Sequence, residues 1–198
     1  MSAALDLIAL MHRVRADLAQ DHRFAHCLRV SRLASRLAHR HGADAHAARL
    51  AGLLHDLARL YDGPRLLREC AERGLAIGPF ERGNPIVLHA PLGAALARER
   101  FGVADHAVLS AIAKHTVAAP NMSRLDQILY LADGLEPGRD FAGRAALEAL
   151  AFDDLGAAMD ATLRASLAYL RARNLKAAPA TLAALQSFKR RERRPLPA

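Results

Sequence analysis

His55 and Asp56 stand side by side at the end of the apolar run Ala51, Gly52, Leu53, Leu54. A histidine and an aspartate carried into an apolar interior both need partners, because desolvating an unpaired carboxylate is costly. A divalent cation satisfies both at once. Other residues of ligand type have the same kind of placement. His26 shares a helical face with Val30 and Leu33, His115 ends the face built by Val108 and Ile112, Asp133 ends that of Ile128 and Leu129, and His89 follows Ile86, Val87 and Leu88. Any one of these is explained as well by a hydrogen-bonded core histidine or a partly exposed edge. The residues alone therefore leave a metal site and a set of satisfied polar core groups both open. Recurrence on five separate apolar stripes is what speaks for metal, held by imidazole and carboxylate. His12, His22, His39, His41, His46 and His106 fall in polar surroundings or beside caps and read as surface.

The elements that must position these residues are helical. Of 198 residues, 52% are hydrophobic and 24% charged, as in one ordinary globular domain. Cys27 and Cys70 lack a CxxC partner, so neither a disulfide framework nor a cysteine zinc site is available. No run of eighteen apolar residues occurs, and Leu7 to Met11 is too short for a secretory core, so a cytoplasmic protein without a membrane partner is expected. Half of the net charge of +8 lies in the last ten residues, a basic run that reads as a disordered tail.

Periodicity predicts helices over 23–40, 45–60, 64–73, 91–100, 105–115, 123–136, 153–173 and 179–190, with Leu75 to Pro85 as the one substantial irregular loop. Asp105 reads as an N-cap, and Ser123 with Asp126 as a capping box. The expected architecture is all-α, a single bundle of about eight helices over residues 21–188. A helical extension (1–20) precedes it and the tail (189–198) follows.

In chain order, Arg23-Phe24-Ala25-His26, Ala51 to Asp56, Leu88-His89-Ala90-Pro91, Ala111-Ile112 with His115-Thr116, and Tyr130-Leu131-Ala132-Asp133 with Glu136 to Phe141 resemble the YqeK branch of the HD-domain metal phosphohydrolases. The likeness runs from about Asp21 to about Ser187, and the Tyr-x-Ala-Asp-x-x-Glu-Pro-x-Arg stretch is its most specific part. The resemblance implies a small helical HD fold with iron or another divalent cation, acting on diadenosine tetraphosphate to give two ADP. By motif position His26, His55, Asp56 and Asp133 would ligate the metal. Asp56, His89, His115 and Arg139 would carry catalysis, and Arg23, Arg59, His89, His115, Thr116, Asp133 and Arg139 would face substrate. Relatives with two metals use histidines at the positions of His89 and His115, which leaves a dinuclear site bridged by Asp56 open. Such a site acidifies a bound water, while Arg139 and a protonated histidine would stabilise the leaving diphosphate.

Two departures lie on the substrate side. The family usually has lysine where this chain has Arg59, and glycine with a basic residue where it has Val117, Ala118 and Ala119. The neighbouring readings are another HD-type activity, on a nucleoside monophosphate or a guanosine nucleotide, and a non-catalytic helical RNA-associated module. The last needs a basic stripe with interleaved aromatics, and 5% aromatics with no tryptophan count against nucleic acid as a partner. A homodimer is left open.

Overall fold

Alanine- and leucine-rich segments with a cap at one end and a glycine at the other fold into short helices. The computed structural model describes residues 7–192, with side chains to Phe188. Among the described residues every regular element is helical. The α-helices are α1 (Leu7–Leu18), α2 (Asp21–Arg40), α3 (Ala45–Leu54), α4 (Gly63–Glu72), α5 (Pro79–Gly83), α6 (His89–Phe101), α7 (His106–Lys114), α8 (Arg124–Leu135), α9 (Arg144–Asp153), α10 (Leu155–Ala172) and α11 (Pro179–Glu192). A 3-10 turn, Pro85–Leu88, leads into α6. The expected caps are present: Asp105 accepts from Ala107 N–H, and Ser123 and Asp126 close a reciprocal capping box. Gly102 ends α6 in the left-handed region, at φ 67°.

The all-α class stands, and eleven α-helices replace the expected eight for three local reasons. The extension contributes α1, whose Leu10, Val14 and Leu18 are buried against the same core as the rest. The expected loop at Leu75 to Pro85 contains α5, opened by Pro79 in the first turn. Residues 144–153 form α9, which breaks at Asp154; that residue is extended and caps α10 by accepting from Gly156 and Ala157 N–H.

One boundary differs in a way that matters for the site. Periodicity carried the second predicted helix to Leu60, but α3 ends at Leu54 and residues 55–60 form tight turns. Arg59 N–H reaches back to Asp56 and Tyr61 N–H to Ala58, a three-residue return. The apolar stripe continues through Leu57 and Ala58 into the core, so hydrophobic spacing could not reveal the change of geometry.

The core is built around α2, α3, α7 and α8, with α6 packed on α7, α9 and α10 on α8, and α11 on α10. Helix α2 lies closely on α3, and Gly52 permits it: a Cβ there would stand 2.6 Å from Ser31 Cα. Of the expected extension, residues 1–6 lie outside the described residues. The expected tail begins inside α11, whose helix continues to Glu192, and residues 193–198 are again outside them. No described helix is long and apolar enough to cross a membrane.

Candidate metal centre and active site

Three of the clustered histidines sit at helix boundaries and solve the same local problem. The last carbonyls of a helix have no partner within it. His55 caps α3 and its Nδ1–H donates to Gly52 O at 2.8 Å; His115 caps α7 and donates to Ile112 O at 2.7 Å; His89 ends the 3-10 turn and donates to Ile86 O at 2.5 Å. His26, within α2, instead points Nδ1 at the Glu136 carboxylate, 3.0 Å away. With all four Nδ1 atoms engaged, each Nε2 is left as an acceptor facing inward.

Those acceptors converge. His26 Nε2 lies 3.3 Å from His55 Nε2 and 3.1 Å from Asp133 Oδ1, and His55 Nε2 lies 3.5 Å from Asp56 Oδ2. On the other side, His89 Nε2 and His115 Nε2 are 3.1 Å apart and lie 3.6 and 3.9 Å from Asp56 Oδ1. All four histidines and Asp56 are buried. Lone pairs and carboxylates packed this closely repel unless a cation lies among them. Ligand atoms about 2.1 Å from one ion, at right angles or tetrahedral, are about 3.0–3.4 Å apart, close to the separations seen here. The residues thus fit a divalent cation. His26, His55 and Asp56 form one candidate triad, Asp56, His89 and His115 a second, and Asp133 joins His55 and His115 in a third.

The electrostatics agree. Burial raises the carboxyl of Asp56, yet His55, His115 and His89 outweigh it and the net direction is down. Asp133 is likewise held well below the carboxylate range, burial being overcome by His26, His55, His115 and Arg139. Burial lowers His26, but its bonds to Asp133 and Glu136 more than compensate and raise it: the anionic cluster calls for positive charge. His89 is lowered to about 4 by burial and by His115, and His115 is lowered by burial and by His55. Both shifts run toward the neutral imidazole, the form that can ligate a cation.

Cationic side chains complete the walls of a cavity of about 390 Å³ that includes Asp56, His89, His115, Thr116 and Asp133. Arg23 donates to Asp56 Oδ2 at 2.9 Å, and its buried Nε has no partner. Arg139 donates to the Asp133 carboxylate at 2.6 Å and to the Asp133 carbonyl at 3.0 Å from an exposed position at the rim. Half-buried Arg59 lines the same cavity. Thr116 Oγ1 lies 3.1 Å from His89 Nε2 and 3.2 Å from His115 Nε2. All ten candidate site residues thus meet in one place. Of the histidines read as surface, five are exposed, while His41 is half-buried and donates to Ala151 O at 2.7 Å.

The residues that sequence reasoning missed are Glu136 and Arg29. Glu136 is 1% exposed, accepts from Arg29 Nε at 2.5 Å and from Gly138 N–H at 2.6 Å, and is lowered to about 2 against its burial, chiefly by Arg29. Its place in the Glu-Pro-Gly-Arg stretch was the available signal.

The HD-domain family matches residues 23–138. Over 82% of its length the chain is 37% identical to a symmetrical bis(5'-nucleosyl)-tetraphosphatase of Halalkalibacterium halodurans, covering 87% of that protein. The Bacillus subtilis protein of the same name is 33% identical, over 81% of this chain and 86% of its own. This chain is an HD-domain protein of the YqeK type. The solved structure of a protein described as a predicted HD superfamily hydrolase involved in NAD metabolism, from Clostridium acetobutylicum, superposes with a TM-score of 0.90 at 31% identity, over 96% of this chain and all of that one. In this HD protein the His-Asp pair is His55 and Asp56, each of which belongs to two of the three candidate triads.

Proposed function

We propose that this chain hydrolyses diadenosine tetraphosphate symmetrically to two ADP, with residues 21–188 as the catalytic unit. The observation that carries this reading is the inward convergence of four imidazole Nε2 atoms and two carboxylates on the wall of an arginine-lined cavity. It stands beside the likeness to relatives named for that activity. His26, His55, Asp56 and Asp133 would hold a divalent cation, and iron is the metal the resemblance implies. His89 and His115 with Asp56 would hold a second ion where one is bound. A bound cation supplies Lewis acidity, acidifying water and offsetting charge on phosphate oxygens.

The remaining work belongs to the chain. A tetraphosphate bridge carries about four negative charges, more than one dication neutralises. Arg23, Arg59 and Arg139 line the cavity that must receive it. Arg23 holds Asp56 from the same wall and brings its positive charge to the cavity. Arg139 can exchange its grip on Asp133 for a bidentate grip on substrate, since it stands at the rim. In the reaction, water oxygen bonds to a phosphorus beside the central bridging oxygen and gives up its protons to solvent, the bridging P–O bond breaks, and ADP departs with the electron pair. Arginine charge stabilises that departing group.

The test is product identification after incubation of metal-reconstituted protein with diadenosine tetraphosphate. ADP as sole product is expected. AMP with ATP, or orthophosphate from a nucleoside monophosphate as the preferred reaction, overturns the symmetrical cleavage.

A further inference from the structure

A second cavity of about 550 Å³ opens beside the histidine cluster, and its character is different. Large hydrophobic side chains stand exposed at seven described positions, and four of them, Ile86, Phe141, Tyr169 and Leu175, gather around this one trough. Exposed apolar side chains collected in one concave place mark a binding surface rather than random scatter. The arginines that line the histidine cavity, Arg23, Arg59 and Arg139, do not line the trough. The two cavities are nevertheless continuous, since Ile86, Thr116, Tyr130, Gly134, Thr162 and Ser166 belong to the walls of both.

At this junction lies an unmet hydrogen-bonding group. Among the described residues, the buried side-chain polar atoms without a partner are Arg23 Nε and Thr162 Oγ1, and both belong to these walls. Thr162, on α10, is 7% exposed. A buried hydroxyl left unpaired is costly in a folded protein and calls for a missing partner. Tyr169 is also arranged for contact: the Arg173 guanidinium covers its ring at 3.9 Å from the centroid, which steadies it, and the residue is 55% exposed.

We propose that the trough receives one nucleoside of the substrate, its base against Tyr169, Phe141 and Ile86 and a sugar hydroxyl at Thr162, while the phosphates enter the histidine cavity. The inference rests on the reading of the cluster as a nucleoside-polyphosphate site and adds to it the place where the nucleoside is held. The order of surfaces matches that of a nucleotide: apolar walls for the base, an unpaired hydroxyl for the sugar, arginines and ligand-type residues for the phosphates. Because the walls are apolar, the base is gripped by stacking and area rather than by reading its edges.

The experiment is equilibrium binding by calorimetry on the full chain loaded with a divalent cation, using ADP, 2',3'-dideoxyadenosine diphosphate and inorganic tripolyphosphate as probes. Tyr169→Ala changes a half-exposed side chain and is expected to weaken ADP roughly tenfold, the order found for a lost base-stacking partner, with tripolyphosphate unchanged. Thr162→Val keeps the side-chain shape and is expected to weaken ADP several-fold without lowering Tm. It should also erase the wild-type preference for ADP over the dideoxy analogue. ADP bound equally well by wild type and Tyr169→Ala, or both probes weakened alike, overturns the trough. An ADP-to-dideoxy ratio unchanged by Thr162→Val overturns the sugar contact. Diadenosine tetraphosphate hydrolysis is assayed in parallel. Wild-type turnover with unaltered binding in the variants removes the trough alone, whereas the expected binding pattern without turnover keeps the trough and removes the proposed reaction.

Discussion

Glu136 and His26 are 110 positions apart in the chain, yet the Glu136 carboxylate lies 3.0 Å from His26 Nδ1 and fixes the ring so that Nε2 faces Asp133 and His55. Arg29 and Gly138 N–H hold the same carboxylate from behind. A histidine within a helix has no free helix-end carbonyl to orient it, so this position needs a carboxylate where His55, His89 and His115 use backbone.

Glu136→Gln preserves the shape but removes the charge that favours His26 as a ligand. Metal affinity is expected to fall by roughly 10–100-fold, the usual cost of losing an outer partner of a ligating histidine. Metal titration of the dialysed variant, with circular dichroism to show an intact fold, measures it. Affinity equal to wild type would remove Glu136 from the site.

Asp56→Ala removes a carboxylate shared by two of the three candidate triads. Loss of both metal and turnover is expected, beyond the roughly 10–100-fold of an outer partner. Elemental analysis of protein purified without chelator decides it, and full metal occupancy would falsify the ligand assignment.

Arg139→Ala leaves the histidines untouched and removes a donor from the cavity rim. We expect kcat/KM to fall by about 10² or more, the size found for losing one stabilising group, with metal content unchanged. If metal is lost in proportion to rate, the role of Arg139 is to hold Asp133 rather than phosphate.

Gly52→Ala tests the packing that brings α2 to α3. The added Cβ would meet Ser31 Cα at 2.6 Å and Ser31 N at 2.8 Å, which is backbone and cannot swing aside. Destabilisation of roughly 1–3 kcal/mol or more is expected from overpacking, together with weaker metal binding, because His26 and His55 lie on the two helices being separated. A Tm matching wild type would contradict this account.

Deleting residues 189–198 is expected to leave turnover nearly unchanged, since among the described side chains Phe188 is the last one buried in the core. A large, salt-sensitive loss of rate would instead show that the basic run recruits the anionic substrate.

The sequence by itself determined most of the helices, many of their ends, and which side chains had ligand chemistry. Caps such as Asp105 and the Ser123–Asp126 box act within a few residues, and apolar spacing reports which face turns inward, so both are written locally. His26, His55, Asp56, His89, His115 and Asp133 were legible because each continues an apolar stripe. The end of α3 at Leu54 was not legible, since the stripe runs on into Leu57 and Ala58 while the backbone changes its hydrogen bonding. Only the tertiary structure decided that the six residues meet, that every Nδ1 is already engaged, and that Glu136 with Arg29 orients His26. It also decided that an apolar trough with an unpaired Thr162 hydroxyl adjoins the cluster. These are contacts between side chains on different helices. Periodicity states which way each side chain points, but the partner it meets depends on how whole helices pack.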